Sequence, residues 1–193
     1  MDLEIALKLI AEKAYDVGYS AKLHYSTYDI VEKAPGLIGL LSLLIGVFSL
    51  YIDALGTKHI SAAITAIGIC SLYISFYSET KDSYLKAGKK LTELYDNLKI
   101  LYAKCKAANQ FSAGDEQELE RITNEFRNCC LNKQILFASW FAHKKFFWEQ
   151  QVAWIEESKK FSFWRDKLPL SLYGAAATVI LAIAAFLFFK CSH

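Results

Sequence analysis

Three long stretches of this sequence contain no aspartate, glutamate, lysine or arginine: residues 34–52, 60–78 and 168–189. Proline is scarce too, with two in 193 residues, and there are nine glycines. So few turn-forming residues in a Leu/Ala/Ile-rich chain exclude a many-stranded β architecture and point to helices almost throughout. The five cysteines (Cys70, Cys105, Cys129, Cys130 and Cys191) are odd in number and include no C-x-x-C pair. They fit a reducing compartment rather than a disulfide framework. The adjacent Cys129 and Cys130 match neither a zinc knuckle nor a redox pair and read as buried packing.

Motifs for chemistry are missing as well. His24, His59, His143 and His193 lie far apart, none with a partner at metal-ligand spacing. His24 and His143 fall on apolar stripes and read as hydrogen-bonded structural histidines. Glycine-rich phosphate loops, G-x-S-x-G elbows and H-E-x-x-H pairs are absent. Asp115, Glu116, Glu118 and Glu120 cluster at a helix start, where they suit the helix dipole rather than an acid/base dyad. A net charge of +2 is too small to imply a nucleic-acid partner. The expectation is a protein that is not an enzyme and has no metal or cofactor.

What is present is apolar and segregated. Hydrophobic residues make up 54% of the chain and gather in the three uncharged runs. Residues 34–52 and 60–78 are each about 19 residues long, or ~28 Å as helices, close to the ~30 Å hydrocarbon core of a bilayer. The short polar turn between them, Asp53 to His59, forces the two to lie antiparallel. This is the pattern of a transmembrane hairpin. Residues 1–33 mix acids and bases and lack an apolar leader, so the first span is also the expected insertion signal.

Residues 2–33 carry an apolar seam at alternating steps of four and three: Leu3, Leu7, Ile10, Ala14, Val17, Ala21, His24, Tyr28 and Val31. Pro35 and Gly36 mark a bend or break at the membrane entry. Residues 79–108 repeat the period with Tyr84, Ala87, Leu91, Leu94, Leu98, Leu101, Cys105 and Ala108. The two seams either close on one another as an antiparallel stalk below the hairpin or meet other partners separately. After a break at Asn109–Asp115, Leu119, Ile122, Phe126, Cys129, Leu136, Trp140, Phe147 and Trp154 predict a third long helix returning to the membrane, kinked near Lys133. Trp148, Trp154, Trp164 and Lys167 are candidates for the membrane interface, where aromatic and basic residues gather. Residues 168–189 predict a third span.

The expected fold is an all-α membrane protein with long amphipathic helices in an antiparallel bundle. Its parts are an N-terminal helix (1–33), a transmembrane hairpin (34–78), a cytoplasmic helical region (79–167), a third transmembrane helix (168–189) and a short external tail (190–193). Sixteen of the 22 lysines and arginines fall in residues 79–167 and four in residues 1–33. The positive-inside bias therefore places the N-terminus and residues 79–167 in the cytoplasm.

Within the spans, the polar residues are small. Gly39, Ser42, Gly46 and Ser49 form one stripe; Ser61, Thr65, Gly68 and Ser75 form another. Small residues permit close helix packing. The same stripes, brought together in an oligomer, would line a water-accessible pathway with Asp53 and Lys58 at its outer mouth. Both readings stand.

Ala14-Tyr15, Ala21-Lys-Leu-His-Tyr25, the tight hairpin, and Tyr84-Leu-Lys-Ala-Gly88 running into Leu91-Thr-Glu-Leu94-Tyr-Asp-Asn-Leu98 together resemble the SLATT family. These are two-transmembrane effector modules associated with bacterial nucleotide-signalling defence systems. The resemblance covers residues 1 to about 160. It implies a pore-forming effector in the bacterial inner membrane, a homo-oligomer in the lipid bilayer. It also implies a signalling partner or nucleotide sensor encoded nearby. Residues 168–189 depart from the two-span pattern. A non-conducting membrane-anchored scaffold that recruits a partner is the alternative.

Overall fold

Two apolar regimes, one amphipathic and one uniformly greasy, share a single helix. The computed structural model describes residues 2–150, 152–159, 161–162, 172–174 and 177–178, and no strand occurs among them. Helix α1 runs from Leu3 to Phe48, 46 residues or ~69 Å. The break expected at Pro35 and Gly36 does not occur, and Pro35 lies inside the helix. Pro35 takes a helical donor only from the Val31 carbonyl, whereas ending the helix there would free several peptide groups at the start of an uncharged run, and unpaired peptide groups are costly in apolar surroundings. Continuing the helix satisfies more of them than stopping it would.

A one-turn 3₁₀ segment, Asp53–Gly56, leads to α2, Lys58–Ser75. A second, Ser78–Thr80, leads to α3, Lys81–Ala108. Asn109 ends α3 in the left-handed conformation, with φ 50°. Helix α4, Ala113–Cys129, opens with a reciprocal capping box between Ser112 and Asp115. Short helices follow: α5, Ala138–Lys144, continuing into a π-type turn Lys145–Glu149, and α6, Ala153–Glu156.

Helices α1 and α3 run antiparallel in heptad register. Glu32 pairs with Lys81, Tyr25 packs on Gly88, and Gly18 accepts the ring of Tyr95. Each step of seven along α3 is matched by seven back along α1. Two of these contacts need glycine. A Cβ on Gly18 would lie 2.8 Å from the Phe146 and Tyr95 rings, and one on Gly88 would lie 3.0 Å from Tyr25. Tyrosine rings thus fill notches on opposite helices.

The main core forms along this seam, with Ile10, Val17, Leu91, Leu94 and Leu98 fully buried. Burying each such side chain contributes about 1.5–3 kcal/mol. Buried positions on α1 extend beyond the single seam to Ala6, Ala11 and Gly18. The reason is that α1 is packed on several sides, touching α4, α5 and α6 as well as α3.

The third long helix expected after Asp115 is instead three pieces. Asn and Cys at positions 128–130 are weak helix formers. After them Cys130 is extended, and the chain stays irregular until Phe137, at φ 68°, turns it into α5. This strap, residues 130–137, finds hydrogen-bond partners on α1 and α3 in place of its own helix. The expected third span, 168–189, lies almost wholly outside the described residues; 172–174 and 177–178 within it are helical.

Candidate functional site

The hairpin buries little of itself. On α1 the half-buried positions Ile38, Ser42, Ile45 and Ser49 recur at helical spacing and mark the face toward α2. On α2 the matching face is Ile60, Ile64, Gly68, Ser71 and Ile74. The small-residue stripes are therefore divided. Ser42, Ser49 and Gly68 lie on the inner faces, whereas Gly39, Gly46, Ser61, Thr65 and Ser75 are exposed. A Cβ at Gly39, Gly46 or Gly68 would meet nothing within 4 Å. Leu40, Leu43 and Leu72 are more than half exposed beside them.

The hydroxyls of the spans turn back on their own helices. Ser49 donates to the Gly46 carbonyl at 2.7 Å, Thr65 to Ser61 at 2.9 Å, and Ser75 to Leu72 at 2.7 Å. Back-bonding of this kind satisfies a hydroxyl in an apolar setting without a neighbouring helix. Asp53 and Lys58 stand exposed at the tip, one opening the 3₁₀ turn and the other opening α2.

The polar chemistry gathers at the opposite end of the hairpin, where the strap crosses α1. His24 is buried, and its Nδ1–H donates to the Ser20 carbonyl at 2.7 Å. With that proton placed, a neutral ring leaves Nε2 as an acceptor, and it receives the Leu131 N–H at 3.0 Å. Thr27, also buried, donates to Gln134 Oε1 at 2.6 Å, and Gln134 Nε2 donates to the Leu131 carbonyl at 2.9 Å. The Tyr84 hydroxyl donates to the Lys133 carbonyl. Burial holds the His24 pKa below its ordinary value, outweighing the Ser20 hydrogen bond. A charged ring would present a donor to the Leu131 donor, so the latch requires the neutral form.

Around these bonds a second apolar cluster closes. Ile135 of the strap and Ala138 of α5 pack with Val31 of α1, Ile74 of α2, Tyr77 just beyond it, and Tyr84 of α3. The strap is thus the piece that ties both arms of the hairpin to the bundle. Read as sequence, Gln134 and Thr27 carry no sign of this role. His24 was legible only as a satisfied histidine.

Two of the tryptophans named as interface candidates, Trp148 and Trp154, lie among the described residues. Trp154 lies in the bundle, its ring 5.7 Å from Tyr95 and 5.2 Å from Tyr102, and its Nε1–H donates to the Tyr95 hydroxyl at 3.1 Å. Trp148 is exposed on the turn whose Phe146 packs beside Gly18, well down α1 from the hairpin. Trp164 and Lys167 lie outside the described residues. Phe137 and Phe141, both more than half exposed, line a cavity with Cys70, Tyr73 and Ile74 of α2.

Cys105 is buried, Cys129 and Cys130 are half-buried, and Cys70 is exposed on α2. Burial and the neighbouring Cys129 push the Cys130 thiol up to about 11, which leaves it a poor nucleophile. His143 shares a 3.0 Å hydrogen bond with the Tyr19 hydroxyl.

Among the described residues, two helices are long and apolar enough to cross a membrane, α1 and α2. No curated protein and no solved structure matches the chain. A family model does: the one described as SMODS and SLOG-associating 2TM effector domain 6, over residues 1–176. With a match across nine-tenths of its length and two apolar helices to serve as the two spans, this chain belongs to the SLATT family of membrane effector domains.

Proposed function

We propose that this protein permeabilises the bacterial inner membrane as a homo-oligomer, in antiviral or abortive-infection defence, when a signal reaches its helical bundle. The observation that carries this reading is the unbroken α1. One helix forms the bundle core at Ile10 and Val17 and continues without interruption to Phe48 in the hairpin. A rotation or shift imposed on its buried half is passed along the same helix to the other half. The faces bearing Gly39, Gly46, Ser61 and Thr65 are uncovered in the single chain and are the surfaces that further copies would bring together. The bundle is cytoplasmic by the distribution of Lys and Arg. Its partner is a signalling protein or nucleotide sensor encoded nearby.

Expression in a bacterium with a membrane-potential dye, alone and with its neighbouring genes, tests this function. Depolarisation and growth arrest are expected. Their absence in both settings would overturn the pore.

One observation favours a second reading, a non-conducting anchor that recruits a partner. The Ser49, Thr65 and Ser75 hydroxyls are satisfied within their own helices. Replacing Gly46 with leucine separates the two. A pore loses conductance while the bundle assembles as before, and a scaffold keeps its partner.

A further inference from the structure

Where α1 and α2 leave the apolar segment, Phe137 and Phe141 stand away from the bundle, 58% and 51% exposed. They do so at a defined level of the molecule. Together with Ile30 and Ala34 of α1 and Cys70 and Tyr73 of α2 they enclose an almost wholly apolar slot of about 280 Å³. Ala34 begins the uncharged run of α1, and Cys70 lies inside that of α2. The slot therefore sits at the boundary of the membrane-spanning part, open to whatever surrounds it.

The slot continues into a polar mouth. Ile30, Ala34 and Phe141 also line a neighbouring cavity of about 300 Å³ that includes Ser26, Asp29, Lys33 and Lys145. Both lysines share one carboxylate: Lys33 reaches Asp29 at 2.7 Å, and Lys145 bonds its other oxygen. The trio keeps one positive charge. Ser26 also lines the mouth, and its buried hydroxyl has no hydrogen-bond partner among the described residues. A helical serine ordinarily bonds a carbonyl one turn back, so an unused hydroxyl here is a polar group awaiting one. Lys33 immediately precedes the uncharged run, where a long cationic side chain extends to the lipid headgroups.

An apolar slot at membrane level, joined to a cationic mouth at headgroup level, has the polarity of one amphiphile. We propose that an anionic phospholipid of the surrounding bilayer docks here, with one acyl chain in the slot and its phosphate between Lys33 and Lys145. Phe137 and Phe141 form the outer wall, and the Ser26 hydroxyl meets the polar head. Because the end of the strap and the start of α5 supply that wall, the bound lipid braces the same segment that ties the hairpin to the bundle. The proposal rests on the two spans crossing a bilayer but not on their conducting.

The test uses the full chain in vesicles of phosphatidylcholine and phosphatidylglycerol, one or the other carrying a photoactivatable diazirine in its acyl chain. Cross-links mapped by mass spectrometry are expected on residues 135–141 and 70–73, besides those on the outer faces of the hairpin. Labelled phosphatidylglycerol should give a several-fold higher yield at the slot. The double variant Lys33→Gln/Lys145→Gln should lose that preference, and Lys33→Arg/Lys145→Arg should retain it. Equal yields from both lipids in the unaltered chain would overturn the anionic head. Labelling confined to the outer faces of α1 and α2 would overturn the site, whether a second copy or residues 168–189 fill the slot instead. Neither result depends on whether the membrane becomes leaky, so this proposal and the pore can fail separately.

Discussion

The two halves of α1 obey opposite rules with nearly the same building blocks. In the bundle half, Ile10, Ala14 and Val17 are fully buried against other parts of the chain. In the hairpin half, Leu40, Leu41 and Leu43 are more than half exposed, and lipid is the medium that suits them. Glycine shows the contrast most sharply. Gly18 is wedged against two aromatic rings, whereas Gly46 has open space where its Cβ would be. In the first half the chain supplies its own packing partners. In the second the single chain leaves its apolar surface exposed.

The largest effect that tests this contrast comes from truncating leucines. Leu98→Ala, at a fully buried site, is expected to destabilise the fold by about 2–5 kcal/mol. Leu43→Ala, at a 65% exposed site, should stay within about 0.5 kcal/mol. Denaturation of the protein in detergent, followed by loss of protection from proteolysis, measures both. Comparable losses at the two sites would mean that the hairpin half is packed within the chain after all.

The glycines come next. Gly18→Ala should cost about 1–3 kcal/mol, because the Phe146 and Tyr95 rings must shift to admit the methyl group. Gly46→Ala should leave the stability of the single chain unchanged. Any effect of Gly46→Ala that grows with protein concentration, seen by cross-linking, would locate a contact between copies on that face.

Where the halves meet, His24→Ala should cost about 1–3 kcal/mol by orphaning the buried Leu131 N–H. The same latch predicts a pH dependence. Burial lowers the His24 pKa in the folded chain, so below the ordinary value of 6.5 the unfolded state binds more protons than the folded one. The neutral ring's contribution is fully present above pH 6.5 and is lost as the pH falls toward the depressed folded value. The thermal midpoint of the unaltered protein should therefore drop in that range by more than that of His24→Gln. Parallel curves would remove His24 from the latch.

The smallest effect is at the far end of the bundle. Ser112→Ala removes one arm of the capping box and should cost about 1 kcal/mol of stability, read as a shift in thermal midpoint. Lys104 and Ser112 hold the Asp115 carboxyl well below the usual carboxylate range. Asp115→Asn should therefore weaken the same helix start, but only while the pH is high enough for the native carboxylate to be charged.

Much of this arrangement was legible before any coordinates. The uncharged runs announced α1 and α2, and the heptad seams named most of the residues that α1 and α3 bury. The acidic cluster beginning at Asp115 announced the start of α4. Three features were not legible, each for a physical reason. Pro35 reads as a helix breaker because that rule holds in water, where freed backbone groups find partners; apolar surroundings offer none. The aromatic run from Phe137 to Trp154 keeps a three-and-four spacing, so it reads as one helix. Nothing local says that His24 and Tyr84 bind the strap backbone, and Thr27 its Gln134 side chain, and so hold it out of helical form. Trp154 reads as an interfacial residue because tryptophan suits both the headgroups and a core that offers its N–H a partner, and only the packing of α6 supplies Tyr95.

By itself, the sequence determined that the chain is built of helices, which segments are too apolar for water, and which faces of α1 and α3 carry the seam. These follow from periodicity and transfer free energy, which act residue by residue along the chain. Tertiary structure alone decided that α1 runs unbroken from bundle to span. It also decided that the small-residue stripes divide between inner and outer faces, and that Phe137 of the strap and Phe141 of α5 come down to the base of the hairpin. Those outcomes depend on which buried donor meets which acceptor across more than a hundred residues of chain, as Leu131 meets His24, and no local pattern encodes such a meeting.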